Sequence, residues 1–197
     1  MKRFPWISAS LVLACAVASS LPVSVALFQY DRALVGQGEG WRLLTGQMVH
    51  WTTRMAFLDL AVLLGLGGVL EATGRRRAAV TALLLGATMT GMAVLWFSSG
   101  VPVYRGASGL ASALFVLAAM EALPESRRFS VRLLAVASLA LFLAKVGVEV
   151  ATGQSLVGSS LPFGIRVLPA VHLAGGAGGA IAFLLAGAGS KPTAGPT

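Results

Sequence analysis

Residues Ala78 to Phe97 read AAVTALLLGATMTGMAVLWF, and this run decides the fold class. It contains no charged side chain, and as a helix rising ~1.5 Å per residue it extends about 30 Å, the thickness of a bilayer's hydrocarbon core. Gly74-Arg75-Arg76-Arg77 stands immediately before it, a helix break followed by cations that belong at a membrane surface.

Comparable runs lie on either side. Helices are expected over Trp6 to Phe28, Thr53 to Thr73, Ala78 to Phe97, Gly106 to Leu123, Phe129 to Thr152 and Pro169 to Gly187. The 197-residue chain is 56% hydrophobic and only 11% charged, with mean hydropathy +0.83, which excludes an ordinary soluble globule. The expectation is an all-α polytopic membrane protein with six transmembrane helices: residues 1–188 form a single membrane domain and residues 189–197 a short cytoplasmic tail. The net charge of +8 is not a nucleic-acid signature, because the cations cluster between apolar runs rather than along one helix face. The single cysteine, Cys15, gives no disulfide framework.

Charge placement predicts the orientation. With the N-terminus inside, Lys2, Arg3, Arg75, Arg76, Arg77, Arg127, Arg128, Arg132 and Lys191 fall in the cytoplasm. Arg32, Arg42, Arg54, Arg105 and Arg166 fall outside, and Lys145 lies in the fifth span. The positive-inside rule then selects N-in and C-in. A cleaved leader is the rival reading of the first run, with Val23-Ser24-Val25-Ala26 as its cleavage site.

In this topology Ser108 and His172 both lie in the first turn of a span entering from outside. Matched depth lets a serine hydroxyl and an imidazole meet as nucleophile and general base. Gly175 and Gly179 follow His172 on the same face, and Gly109 with Ala113 gives the Ser108 helix a small-residue face of its own. These glycines are the expected packing residues. Gly106-Ala107-Ser108-Gly109 is not the nucleophile elbow of soluble hydrolases, because Leu110 occupies the place of that motif's second glycine. Lys145 and Glu149, four apart near the outer end of the fifth span, are expected to pair, and Glu71 to fasten helix ends on the inner side. No further carboxylate is expected at His172, which suits a dyad. No metal site and no cofactor are expected.

Three blocks together resemble the rhomboid family, and within it the bacterial rhombosortases: Trp41-Arg42-Leu43-Leu44-Thr45 through His50 and Asp59 to Gly67-Gly68-Val69-Leu70-Glu71; Tyr104-Arg105-Gly106-Ala107-Ser108-Gly109; and His172 with Gly175 and Gly179. The resemblance implies a rhomboid-like bundle in the bacterial inner membrane, acting as an intramembrane serine endopeptidase with its active site toward the periplasmic face. It implies membrane-anchored protein substrates, exported proteins with C-terminal Gly-Gly-type sorting anchors, in contact with the lipid bilayer. The Ser108 backbone N–H, Gly106, Asp59 and His50 are then the candidate oxyanion or substrate residues. The chain departs from the family pattern at Gly46 and Met55, where histidines are common, at Asp59, where an asparagine is usual, and at Ser112, where an aromatic residue often stacks on the catalytic histidine. The alternative is a catalytically inactive rhomboid-like protein that binds transmembrane segments.

Overall fold

The computed structural model describes residues 4–125, 128–153 and 168–189. The first helix, α1 (Trp6–Ser20), starts with amides that have no partner inside the helix. Glu71 supplies it: Oε1 accepts from the Ser8 N–H at 2.8 Å and the Ser8 hydroxyl at 2.7 Å, and Oε2 from the Ile7 N–H at 3.2 Å. A buried carboxylate therefore compensates the positive end of α1, as expected of Glu71. Close approach is possible because Gly67, one turn away, has no side chain to collide with Ser8.

The expected helix from Trp6 to Phe28 is broken. Leu21 is extended, and α2 (Pro22–Phe28) leaves α1 at a bend of 109°. The cause is local: a proline pushes the preceding residue out of the helical region and is itself well placed to begin a new helix. After α2 come β1 (Tyr30–Asp31) and two short helices, α3 (Arg32–Gly36) and α4 (Arg42–Thr45). Arg42 is 4% exposed and donates from Nη1 to the carbonyls of Ala26 and Gln29, while its Nε meets Glu39 at 2.6 Å. It stabilises the negative end of α2.

The remaining elements are α5 (Thr53–Ala72), α6 (Arg76–Phe97), β2 (Val103–Tyr104), α7 (Ser108–Glu125), α8 (Phe129–Thr152) and α9 (Pro169–Gly189). Among the described residues four helices, α5, α6, α8 and α9, are long and apolar enough to cross a membrane, and the bent α1–α2 pair makes up to five. The fourth expected span, Gly106 to Leu123, corresponds to α7, a shorter apolar helix. It lies against α5, α6, α8 and α9, with Leu110, Leu114 and Leu117 buried. Protein rather than lipid surrounds it, so its length need not match the bilayer. Large apolar side chains such as Trp6, Val23, Phe57, Leu84, Phe97, Phe129 and Leu141 lie on the outside, while Arg42, Glu71, Glu121 and Glu149 are buried. That inversion of the soluble pattern is what a lipid-facing surface requires.

Gly153 closes α8 in a left-handed conformation, φ +67°, with its N–H on the Glu149 carbonyl. The Gly/Ser connection between Gly153 and Leu168, including Arg166, lies outside the described residues. So do Lys2, Arg3, Arg127 and the tail after Gly189.

Candidate active site

Ser108 opens α7 at the end of a loop whose every turn is tied to another element. Arg32 donates from Nη2 to the carbonyls of Val94 (2.8 Å), Leu95 (3.0 Å) and Ser98 (3.0 Å), capping α6 just before the loop begins. The loop then pairs as β2 antiparallel to β1, Tyr104 opposite Tyr30. The Tyr104 hydroxyl donates to the Gly106 carbonyl at 2.8 Å, and the Gly106 N–H donates to the Gly46 carbonyl at 3.2 Å. Gly106 has φ +139°, a conformation that favours glycine, and the turn toward Ser108 depends on it. Burial holds the Tyr104 phenol well above its ordinary ionisation range; the nearby Asp59 carboxylate adds to this, and a hydrogen bond with the Ser108 side chain opposes it. Tyr104 therefore serves as a neutral donor.

Asp59 completes the clamp. Its Oδ2 accepts the Ala107 N–H at 2.9 Å and faces His50 Nε2 at 3.3 Å, off line for a hydrogen bond. His50 Nδ1 in turn lies 3.1 Å from the Ser19 hydroxyl. The chain Ser19, His50, Asp59, Ala107 thus runs from α1 to the residue before Ser108. The carboxylate oxygen is placed as an acceptor for a backbone amide. At Ser112 the hydroxyl donates to the Ser108 carbonyl at 2.8 Å.

The helices α7 and α9 interlock through the expected small residues. A Cβ on Gly175 would overlap the Gly109 carbonyl, and one on Gly179 the Ala113 carbonyl. Both contacts advance by four residues on each helix, so the two run parallel. His172 lies three residues before Gly175 and Ser108 one before Gly109, which offsets them by only about 3 Å along the axes. α6 closes the third side: a Cβ on Gly178 would stand 2.7 Å from the Gly86 N–H nitrogen, and one on Gly86 2.7 Å from the Ala113 Cβ.

His172 has a partner that the sequence reading did not anticipate. Its Nδ1 lies 3.0 Å from Glu149 Oε2 and 3.2 Å from Lys145 Nζ, and the expected Lys145–Glu149 pair is present at 2.8 Å. Glu149 is 1% exposed. The expectation that no carboxylate attends His172 is therefore overturned. Two charges retained one turn apart in an apolar span were the available signal. Spacing within α8 showed that they could reach each other, but not that α8 presents them to α9.

An open cavity of about 440 Å³ lies at the His50 end of the clamp, lined among others by Ser19, Gln29, His50, Trp51 and Arg105. The Arg105 guanidinium stacks 4.1 Å over the Trp51 ring and donates from Nε to Gln29 at 2.9 Å. No group of three or more metal-ligating side chains is present among the described residues.

A family profile described as the rhomboid domain matches residues 37–189. The chain belongs to the rhomboid family. Rhomboids are a family of intramembrane serine proteases, and the matched region takes in α4 through α9, including the two helices that carry Ser108 and His172. A comparison with curated proteins finds no match. The buried charges and lipid-facing exterior of this rhomboid make it a multi-pass membrane protein.

Proposed function

We propose that this rhomboid is an active serine endopeptidase in which Ser108 is the nucleophile and His172 the general base. The observation that carries the reading is the α7–α9 interlock at Gly109–Gly175 and Ala113–Gly179, which puts the first turns of the two helices side by side. His172 Nε2 takes the Ser108 proton as Oγ attacks the scissile carbonyl, then returns it to the leaving amine; water releases the acyl-enzyme by the same route. The Ser108 N–H, at the positive end of α7, is the proposed oxyanion donor. Asp59 and His50 support the site by holding the loop: Asp59 Oδ2 is occupied by the Ala107 N–H, and Gly106 allows the turn.

The proposed orientation is N-in and C-in, six spans with α7 counted, and the site toward the outer face of a bacterial inner membrane. The cluster Arg75, Arg76 and Arg77 at the turn between α5 and α6 supports this orientation. The proposed substrates are membrane-anchored exported proteins carrying a Gly-Gly-type C-terminal anchor, since small residues weaken a helix and expose its backbone to attack.

The test is co-expression of a reporter ending in a Gly-Gly segment, an apolar helix and a basic tail with wild type, Ser108→Ala and His172→Ala. Shortened reporter is expected with wild type alone. Equal shortening in all three overturns the assignment, and capture of uncut reporter by wild type favours a binding role instead.

A further inference from the structure

We propose that Glu149 is a positioning residue that converts the Ser108–His172 pair into a three-member relay, with Lys145 as the counter-charge that makes a buried carboxylate tolerable there. The inference rests on the protease reading above. Four observations carry it: Glu149 Oε2 lies 3.0 Å from His172 Nδ1, Lys145 Nζ lies 2.8 Å from the same oxygen, the Glu149 side chain is fully buried, and all three groups sit where α8 meets the first turn of α9.

The chemistry follows from donor and acceptor inventories. A carboxylate only accepts and an ammonium only donates. His172 Nδ1 faces both, so it either carries a proton and donates to Glu149 or is bare and accepts from Lys145. The shorter approach of Nδ1 is to Oε2, and the proposal accordingly puts the proton on Nδ1. That tautomer leaves the Nε2 lone pair free to take the Ser108 proton. When it does, the imidazolium forms beside a carboxylate whose position is fixed on two sides. The Nδ1 proton stays on the ring throughout, and Glu149 neither gains nor loses one.

α8 packs only lightly on α9, and this polar triangle is a principal link between their outer ends. A merely structural role is therefore the rival, and the experiment must separate it. The full-length protein in micelles is compared as wild type, Glu149→Gln, Glu149→Asp, Ser108→Ala and His172→Ala. Two quantities are read: the rate at which a fluorophosphonate labels Ser108, and the ring ¹⁵N shifts of His172. The chain has 2 histidines, so His172→Ala assigns the signals.

The expected result is the Nδ1–H tautomer in wild type and its loss in Glu149→Gln. Labelling of Glu149→Gln should fall by up to about 10⁴-fold, the loss when the orienting carboxylate of a serine-protease triad is neutralised, with Glu149→Asp partly restored. An Nε2–H tautomer in wild type overturns the proposal. So does a labelling rate within about twofold of wild type, or above it, in Glu149→Gln. A wild type that labels nowhere defeats the protease reading, while the tautomer still decides whether Glu149 orients His172.

Discussion

The α7–α9 interlock makes a sharp prediction at Gly175. A methyl group there has no room: the nearest atoms are the backbone O, C and Cα of Gly109, which cannot rotate aside like a flexible side chain. Relieving the overlap requires the helices to separate by about 1 Å or more, since close-packed interiors do not yield locally. Overpacking of this kind costs roughly 1 to 3 kcal/mol, against which alanine returns up to about 1 kcal/mol of helix propensity. The larger effect should be on rate. Ser108 and His172 ride on the two helices being pried apart, and a displacement of about 1 Å between reacting groups can cost 10²-fold.

Gly175→Ala should therefore unfold somewhat earlier and label with fluorophosphonate about 100-fold more slowly than wild type. Gly147→Ala is the matched control, because a Cβ at that position on α8 meets nothing within 4 Å. It should be neutral or slightly stabilised. Thermal unfolding in micelles and initial labelling rates measure both effects. If Gly175→Ala and Gly147→Ala both keep the wild-type labelling rate, Gly175 does not seat on Gly109, and the argument that aligns Ser108 with His172 fails.

Other perturbations probe the clamp and the fold separately. Asp59→Asn keeps an acceptor for the Ala107 N–H and should retain labelling within about tenfold, whereas Asp59→Leu orphans that amide and should lose about 1 to 3 kcal/mol of stability together with most labelling; the opposite ranking would make Asp59 a charge-dependent participant. Glu71→Leu strips the partners from Ile7, Ser8 and the Ser8 hydroxyl at the start of α1, so a melting loss equivalent to about 3 kcal/mol or more is expected, with labelling in the surviving folded protein near normal. Tyr104 gives the pH test. Its folded phenol holds its proton above the ordinary value of 10.0, so its contribution is complete below that value and is lost as pH rises through the higher folded value. Wild type should thus lose stability on the alkaline side more steeply than Tyr104→Phe, measured by melts across pH; parallel curves would show that the phenol is not buried as described.

Much of this architecture was legible because each apolar run carries its own length and flanking charge. Thr53–Ala72, Arg76–Phe97 and Phe129–Thr152 agree with the expected helices to within a residue or two, since lipid leaves a backbone no alternative to helix there. The break at Leu21 was also written locally, in Pro22, but an uninterrupted apolar composition masked it. The segments between helices read poorly for a different reason. Tyr30, Arg32, Arg42 and Asp59 find partners far along the chain, at Tyr104, Val94, Ala26 and Ala107, and no periodicity encodes which carbonyl an arginine will cap.

The residues at which the chain departs from the rhomboid pattern fit this geometry better than they fit a list of missing donors. Asp59 is an ionisable group where an amide is usual, yet the N–H it accepts belongs to the residue preceding Ser108, so a carboxylate there fixes the loop that leads into α7. Ser112 stands where the family often has an aromatic ring; here its hydroxyl turns back onto the Ser108 carbonyl, and under the proposal above Glu149 of α8 orients His172 instead. A side chain that stacks on an imidazole restricts its plane but not its tautomer. Glu149 restricts both, because a carboxylate accepts only from the protonated nitrogen. The exchange of an aromatic contact for a charged one brings Lys145 with it, since an unpaired carboxylate at this burial would cost several kcal/mol. On this reasoning Lys145→Met should damage the site by a route distinct from Glu149→Gln: the buried carboxylate loses its counter-charge, its position against Nδ1 is no longer fixed by the ammonium, and labelling falls, with the double variant Lys145→Met/Glu149→Gln no slower than Glu149→Gln alone. Strictly additive losses in that cycle, read from labelling rates, would show that Lys145 and Glu149 act on His172 independently.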